Sequence, residues 1–268
     1  MLNAEQDPVA ELLPAEWLVY EQPLTERIRT FLRLEFLFEQ CEHHLRLTSP
    51  WDSRATVAAI LEIGALLTRG DVRTEVLKEL ERCLYFLNRL AGSPEVDNAR
   101  LQSVLTELET LRKAMNGDGR PLGQMLKDNE FLNTIRNRMA IPGGTCQFDL
   151  PAYHAWLSQP HARRNPDMQA WLEEIRPLRD TISLLLALSR ESAVPTREVA
   201  EQGMYMRVLD AASCPLVRVM VPATNNVYPE ISAGRQRITI HFLERQEAGG
   251  RAQLVKSDIS FRLVCCQL

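Results

Sequence analysis

Near Pro195 the spacing of apolar residues changes from the helical period of about 3.6 to the strand period of about 2, so one chain must build two kinds of layer. Beyond that point Met204, Met206 and Val208 alternate with Tyr205 and Arg207, and Val217, Val219 and Val221 with Arg218. Ile238, Ile240 and Phe242 alternate with Arg237, Thr239 and His241, and Ile259, Phe261 and Leu263 with Ser260 and Arg262. Four half-buried strands are expected, with turns at Cys214-Pro215, Asn225-Asn226, Gly234 and Gly249-Gly250. The last two strands read as an antiparallel hairpin through Gly249-Gly250. No helical pattern separates the strands, which argues against a parallel sheet.

Upstream, four long amphipathic stripes follow one another. The first, opened by a Thr25 cap, carries Leu24, Ile28, Phe31, Leu32, Phe36 and Leu37. Ser49-Pro50 restarts the chain for Val57, Ile60, Leu61 and Leu67, and Gly70-Asp71 for Val72, Val76, Leu80, Cys83, Leu84, Leu87 and Leu90. Leu101, Leu105, Leu108, Leu111 and Met115 form the fourth, and Phe131, Leu132, Ile135 and Met139 the inner face of a shorter fifth helix. Asn165-Pro166 reads as a later restart, and Pro177 as a kink or division in the helix that follows. The expected fold class is α+β: an N-terminal multi-helix domain followed by a small antiparallel β domain. Its parts are a loose extension over 1–15, a helical domain over 16–193 and a β domain over 194–268, with a strand at 17–22 able to pair with the last of these.

Between the fifth helix and the next lies AIPGGTCQFDLPAYHAWL, residues 140–157. Ile141-Pro142-Gly143-Gly144 breaks one helix, and Asp149 with Pro151 in the first turn is placed to start another. This hinge holds Cys146, Asp149 and His154, the residue types of a thiol nucleophile, and so gives an alternative reading as a cysteine-dependent hydrolase or transferase centred on Cys146 and His154. Against it, Cys146 stands outside the helix that carries His154. No phosphate loop or paired C-x-x-C motif is present, and the adjacent His43-His44 cannot converge on a metal from one helix face. No catalytic activity, cofactor or metal is expected.

A net charge of -4 gives no bulk attraction to nucleic acid, so any cationic site must be local. The six cysteines read as reduced, mostly buried thiols. The acidic N-terminus lacks the pattern of a signal peptide, and no apolar run is long enough for membrane insertion; the expectation is a cytoplasmic protein. Local cationic groupings do occur. Arg29 and Arg33 are one turn apart on the first helix, Arg136 and Arg138 close the fifth, and Arg235 continues a strand-face row of Arg237, Thr239 and His241. Such a row is compatible with a wet sheet face or with an extended acidic peptide held by arginine. A nucleic-acid binding module, the third class, would want aromatic residues among the arginines, and this row has none.

Three stretches together resemble the bacterial Z-ring-associated protein D, or ZapD, family: YEQPLTERIRTFLRLEF (Tyr20–Phe36), GDVRTEVLKEL (Gly70–Leu80) and the hinge IPGGTCQFDLPAYHAWL. NVYPEIS (Asn226–Ser232) and the pair Cys265-Cys266 add weaker matches. The resemblance implies a cytoplasmic division protein, acting at mid-cell as a homodimer. It further implies binding to the C-terminal tail of FtsZ and cross-linking of FtsZ filaments into bundles, without catalysis or cofactor. It places a charged, FtsZ-related surface at Arg33, His154, Arg237 and His241, to which the neighbouring Arg29, Arg136, Arg138 and Arg235 are joined as expected partner-binding residues. His241 stands where relatives carry a second arginine, so charge there depends on pH.

Overall fold

Side-chain caps start most of the helices in a computed structural model of the chain, which describes residues 17–91, 93–94, 96–117, 121–209, 214–234, 237–244 and 250–267. The Thr25 hydroxyl accepts from the Ile28 amide at 3.3 Å and opens α1 (Glu26–Leu45). Ser49 and Asp52 cap each other reciprocally to open α2 (Pro50–Arg69). Asp71 accepts from the Thr74 amide at 3.1 Å ahead of α3 (Val72–Asn88), and Asp97 accepts from the Ala99 and Arg100 amides ahead of α4 (Asn98–Asn116). Each such cap contributes about 1 kcal/mol by satisfying amides that have no partner inside the helix. The shorter α5 (Gln124–Asp128) and α6 (Glu130–Met139) follow, then α7 (Pro151–Leu157), α8 (His161–Glu174) and α9 (Arg176–Glu191).

The chain divides into two units. Thr30–Ala187 forms one, and the described residues before it, from Trp17 to Arg29, join those from Leu188 onward in the other. In the first, α3 packs on α4, while α2 contacts α5, α6, α7 and α8. Leu34, Val57, Ile60, Ile63, Val76, Leu80, Leu108 and Leu132 are fully buried there. Three expected core residues, Phe36, Leu90 and Met139, face outward. Phe36 lies five residues from Phe31, about 140° round the helix, and Leu34 and Phe38 hold the buried positions instead. Nor does Asn165-Pro166 restart the chain: α8 begins at His161 and runs through Pro166. Arg164 anchors its first turns, 2% exposed, donating to the carbonyls of Leu157 at 3.1 Å and Thr48 at 2.9 Å. Pro177 does divide its helix, since α8 ends at Glu174 and Pro177 falls in the first turn of α9.

The other unit is a two-sheet β structure. Its strands are β1 (Trp17–Pro23), β2 (Thr196–Ala200), β3 (Met204–Val208), β4 (Leu216–Pro222), β5 (Val227–Ala233), β6 (Arg237–Glu244), β7 (Gln253–Leu254) and β8 (Ile259–Cys266). One sheet has the order β1-β4-β8-β2 and the other β3-β6-β5, with β7 beside β6; every pairing is antiparallel. Val217, Val219 and Val221 meet Ile238, Ile240 and Phe242 between the sheets, and the Phe242 and Phe261 rings lie 5.1 Å apart. The architecture is therefore α+β, helices first and antiparallel sheets after.

Three strand expectations change. Among the described residues seven strands, β2–β8, follow Pro195 where four were expected. The last two long strands are not a hairpin, because β6 and β8 belong to different sheets. Between them β7 extends the β6 edge and Val255, whose amide donates to the Phe242 carbonyl at 3.0 Å, is buried. β3 turns opposite to its apolar pattern: Tyr205 faces inward, its ring 5.1 Å from Phe261, while Met204, Met206 and Val208 face outward.

β1 pairs with β4 along its whole length, Trp17 opposite Pro222 and Pro23 opposite Leu216. Glu21 reinforces the pairing: its carboxylate accepts two 2.8 Å hydrogen bonds from Arg190 and lies 2.9 Å from Arg218 Nε. With 18% of the Glu21 side chain exposed, removing it leaves two poorly solvated guanidinium groups side by side. Glu21→Ala is expected to destabilise the β unit by about 2–3 kcal/mol, read as a lower urea midpoint; an unchanged midpoint would show that the cluster contributes nothing net.

Candidate functional site

Strand β6 needs Ile238, Ile240 and Phe242 in the core, so its pleat turns Arg237, Thr239 and His241 outward. In the β5 and β3 registers Glu230 and Met204 flank His241, Ser232 and Met206 flank Thr239, and Val208 stands beside Arg237. The outward face is thus a grid of three columns: apolar on β3, basic and hydroxyl on β6, and acidic and hydroxyl on β5. Among the described residues Arg237 has no carboxylate partner, whereas His241 lies across from Glu230. Arg235, expected to continue the row, lies outside the described residues.

The remaining basic positions are placed as follows. Arg29 is half-buried and ion-paired with Glu26 at 3.1 Å, while Arg33, one turn along α1, is exposed. Arg136 and Arg138 are exposed near the end of α6, and His154 is exposed on α7. Arg138 comes within 3.9 Å of Asp149 in the hinge. The structure therefore brings together Arg237 and His241 on one sheet face, and Arg138 with the hinge.

The hinge itself is a framework. Gly143 has φ +70°, and a Cβ on Gly144 would stand 2.5 Å from the Arg138 carbonyl oxygen. Both positions demand glycine. Arg54 of α2, which sequence reasoning missed, donates to the Thr145 carbonyl at 3.1 Å and lies over the Tyr153 ring at 5.0 Å. Tyr153, Trp156, Trp171 and Phe131 then form a ring cluster with neighbouring centroids about 6 Å apart. Asp149 does not cap α7, whose N-cap is Leu150; it accepts from the Cys146 thiol at 3.4 Å. That hydrogen bond gives Cys146 a carboxylate neighbour where the hydrolase reading needs an imidazole.

Other features carry no sequence signature. Arg262 stacks on Trp17 with its guanidinium 4.3 Å from the ring, beside an open depression of about 720 Å³ that Arg197 and Val199 also line. The adjoining Cys214 thiol lowers the Cys265 thiol, with nearby Arg207 acting in the same direction against partial burial, and Cys265 in turn raises Cys214. Burial pushes Cys41 and Cys83 up to about 12 and Cys266 to about 11. Among the described residues no three metal-ligating side chains converge, and no helix is long and apolar enough to cross a membrane.

The α+β framework thus presents a sheet face that is cationic at Arg237 and apolar along β3. Comparison with known proteins supplies the family. The ZapD family model, described as a cell division protein, matches residues 32–241. Relatives named cell division protein ZapD include those of Methylococcus capsulatus, 40% identical over 252 residues (94% of this chain, 98% of the relative), and Coxiella burnetii, 38% identical over 256 residues (95% and 99%). A third, from an Azoarcus species, is 37% identical over 249 residues (93% and 99%). The chain belongs to the ZapD family of cell division proteins.

Because the thiolate is the reactive form, lowering the Cys265 thiol makes it react at lower pH than an ordinary cysteine. Iodoacetamide labelling followed by peptide mass spectrometry should show Cys265 modified at lower pH than Cys41 and Cys83. Cys214→Ala should shift the Cys265 profile upward in pH; an unshifted profile would show that Cys214 is not its cause.

Proposed function

We propose that this protein binds the C-terminal tail of FtsZ and, as a homodimer, cross-links FtsZ filaments into bundles at the division site in the cytoplasm. Membership of the ZapD family is the observation that carries the reading, since it supplies the cell-division role. The exposed face around Arg237 supports it with chemistry: a guanidinium without a carboxylate partner among the described residues is available for bidentate contact with an acidic peptide. Arg33, exposed on α1, and His154, Arg136 and Arg138, exposed near the hinge, are assigned secondary contacts. Arg29 takes a lesser part because Glu26 already holds it. No catalysis and no cofactor enter this function. One tail site per protomer makes a dimer bivalent, and repeated weak contacts along a polymer add through effective concentration.

Low-speed sedimentation of FtsZ with the purified protein tests the reading. Bundled FtsZ should pellet with the wild type, Arg237→Glu should reduce the pelleted fraction several-fold, and raised salt should act in the same direction because exposed charges are screened. Full bundling by both Arg33→Glu and Arg237→Glu would remove this site assignment, and no bundling by the wild type would remove the function.

A further inference from the structure

The outward face of β3 is unusual in being apolar at an open sheet edge. Met204 is 50% exposed, Met206 66% and Val208 81%, three large apolar side chains in one column. They sit directly across from His241, Thr239 and Arg237. The backbone phase is fixed by the Phe242 amide, which donates to the Gly203 carbonyl at 2.8 Å. Hydrogen-bonded pairs alternate along an antiparallel ladder, so Tyr205 and Arg207 exchange bonds with Ile240 and Ile238. Met206 and Val208 then point their N–H and C=O groups away from β6, where the sheet order places no further strand among the described residues. Met204 differs, because its amide donates to the Glu201 carbonyl at 2.9 Å and closes the turn before the strand. An edge of this kind accepts another strand unless charge, proline or a covering element protects it; here the outward side chains are two methionines and a valine, and the one charge on the strand, Arg207, lies on the opposite face within 3.4 Å of Glu198.

Charge selects the occupant. Arg237 lies next to Val208 at one end of the column, and the middle and far positions beside Met206 and Met204 offer apolar floor. A second copy of this chain would bring another apolar strand, whose outward column of Met204, Met206 and Val208 carries no carboxylate for Arg237. An extended segment alternating apolar and acidic side chains satisfies both columns at once.

We infer that the partner tail docks by strand addition: it pairs with the free edge of β3 at Met206 and Val208, lays apolar side chains on the Met204, Met206 and Val208 column, and sets a carboxylate against Arg237. This rests on the proposed function for the identity of the tail, and adds the mode of recognition. Main-chain hydrogen bonds supply affinity in such a mode, and alternate side chains supply specificity.

The test uses the full chain and a fluorescent synthetic peptide with the sequence of the cognate FtsZ C-terminal tail, read by anisotropy. Single N-methyl groups are moved along the peptide backbone, leaving the protein unaltered. Strand addition expects binding to fall about tenfold or more at every second position within one stretch of the tail, and little between. Met206→Asp, checked for an unchanged melting midpoint and circular dichroism, should weaken the unmodified peptide by a similar factor. If the peptide binds, Arg237→Glu weakens it, and both the N-methyl scan is flat and Met206→Asp binds like wild type, strand addition is overturned while the functional reading stands. No binding of the unmodified peptide to wild type would overturn the functional reading and this inference together. Should Met206→Asp turn a sedimenting dimer into a monomer, the edge is occupied by a second copy and strand addition by the tail is wrong.

Discussion

Glu21 ties the first described strand to the sheet built from the later part of the chain. Its carboxylate faces Arg190, where the last helix is about to leave for the sheets, and Arg218 on the strand that β1 joins. Ladder pairing of residues 17–23 with 216–222 closes a loop over residues 24–215. Closure entropy grows only slowly with loop length, so the cost is modest, yet local contacts alone do not repay it. Seven register pairs do, continued by the Leu24 amide donating to the Pro215 carbonyl at 2.8 Å. Every strand of the first sheet is ordered by this closure: β4 has β1 on one side and β8 on the other, and β8 carries β2.

What was legible in the sequence followed from local rules. Caps at Thr25, Ser49 and Asp71 need only a side chain and an amide three residues on, and they lie where the pattern places them. Period two after Pro195 announced antiparallel strands, and the β4, β6 and β8 alternation matches their burial. The failures are non-local. Pro229 concealed β5, because a proline in a strand normally argues against one; β5 is an edge strand and can carry a residue without an N–H. β3 misled for the opposite reason. Alternation states which residues share a face but not which face is buried, and Tyr205 packing on Phe261 decided it against the methionines. The hairpin through Gly249-Gly250 failed because turn residues signal a reversal without saying which sheet receives the next strand.

The candidate site was legible to the same depth. Arg237, Thr239 and His241 share a face because strand geometry allows nothing else, and the structure adds only their neighbours. Those neighbours change the chemistry. An arginine row alone suits any anion; with Met206 and Val208 on one side and Glu230 on the other, it suits a ligand of mixed character, acidic near Arg237 and apolar elsewhere. Arg54 and Arg164 show the converse. Both are arginines in sequence, yet one orders the hinge through the Thr145 carbonyl and the other is buried on the carbonyls of Leu157 and Thr48. Counting basic residues along the chain could not separate these from Arg237, because the difference lies in what the guanidinium faces.

An open face of this kind sets the strength of any contact made there. Exposed ion pairs contribute about 0–1 kcal/mol each, and a short edge adds a few main-chain hydrogen bonds worth about 1 kcal/mol apiece net. Set against the entropy of ordering an extended segment, about 1–2 kcal/mol per residue, the balance for one site is small. Only apolar burial on Met204, Met206 and Val208 tips it, at about 25 cal/mol per Å². A weak single site is of little use against a monomeric partner at low concentration. Against a polymer that repeats its tail at every subunit, which is the partner the proposed function assigns, the same site would become effective in a dimer, because a second engaged protomer rebinds before the first is lost. Rapid exchange at each contact would then let a bundle be held firmly and still be remodelled, which a tight pocket would prevent.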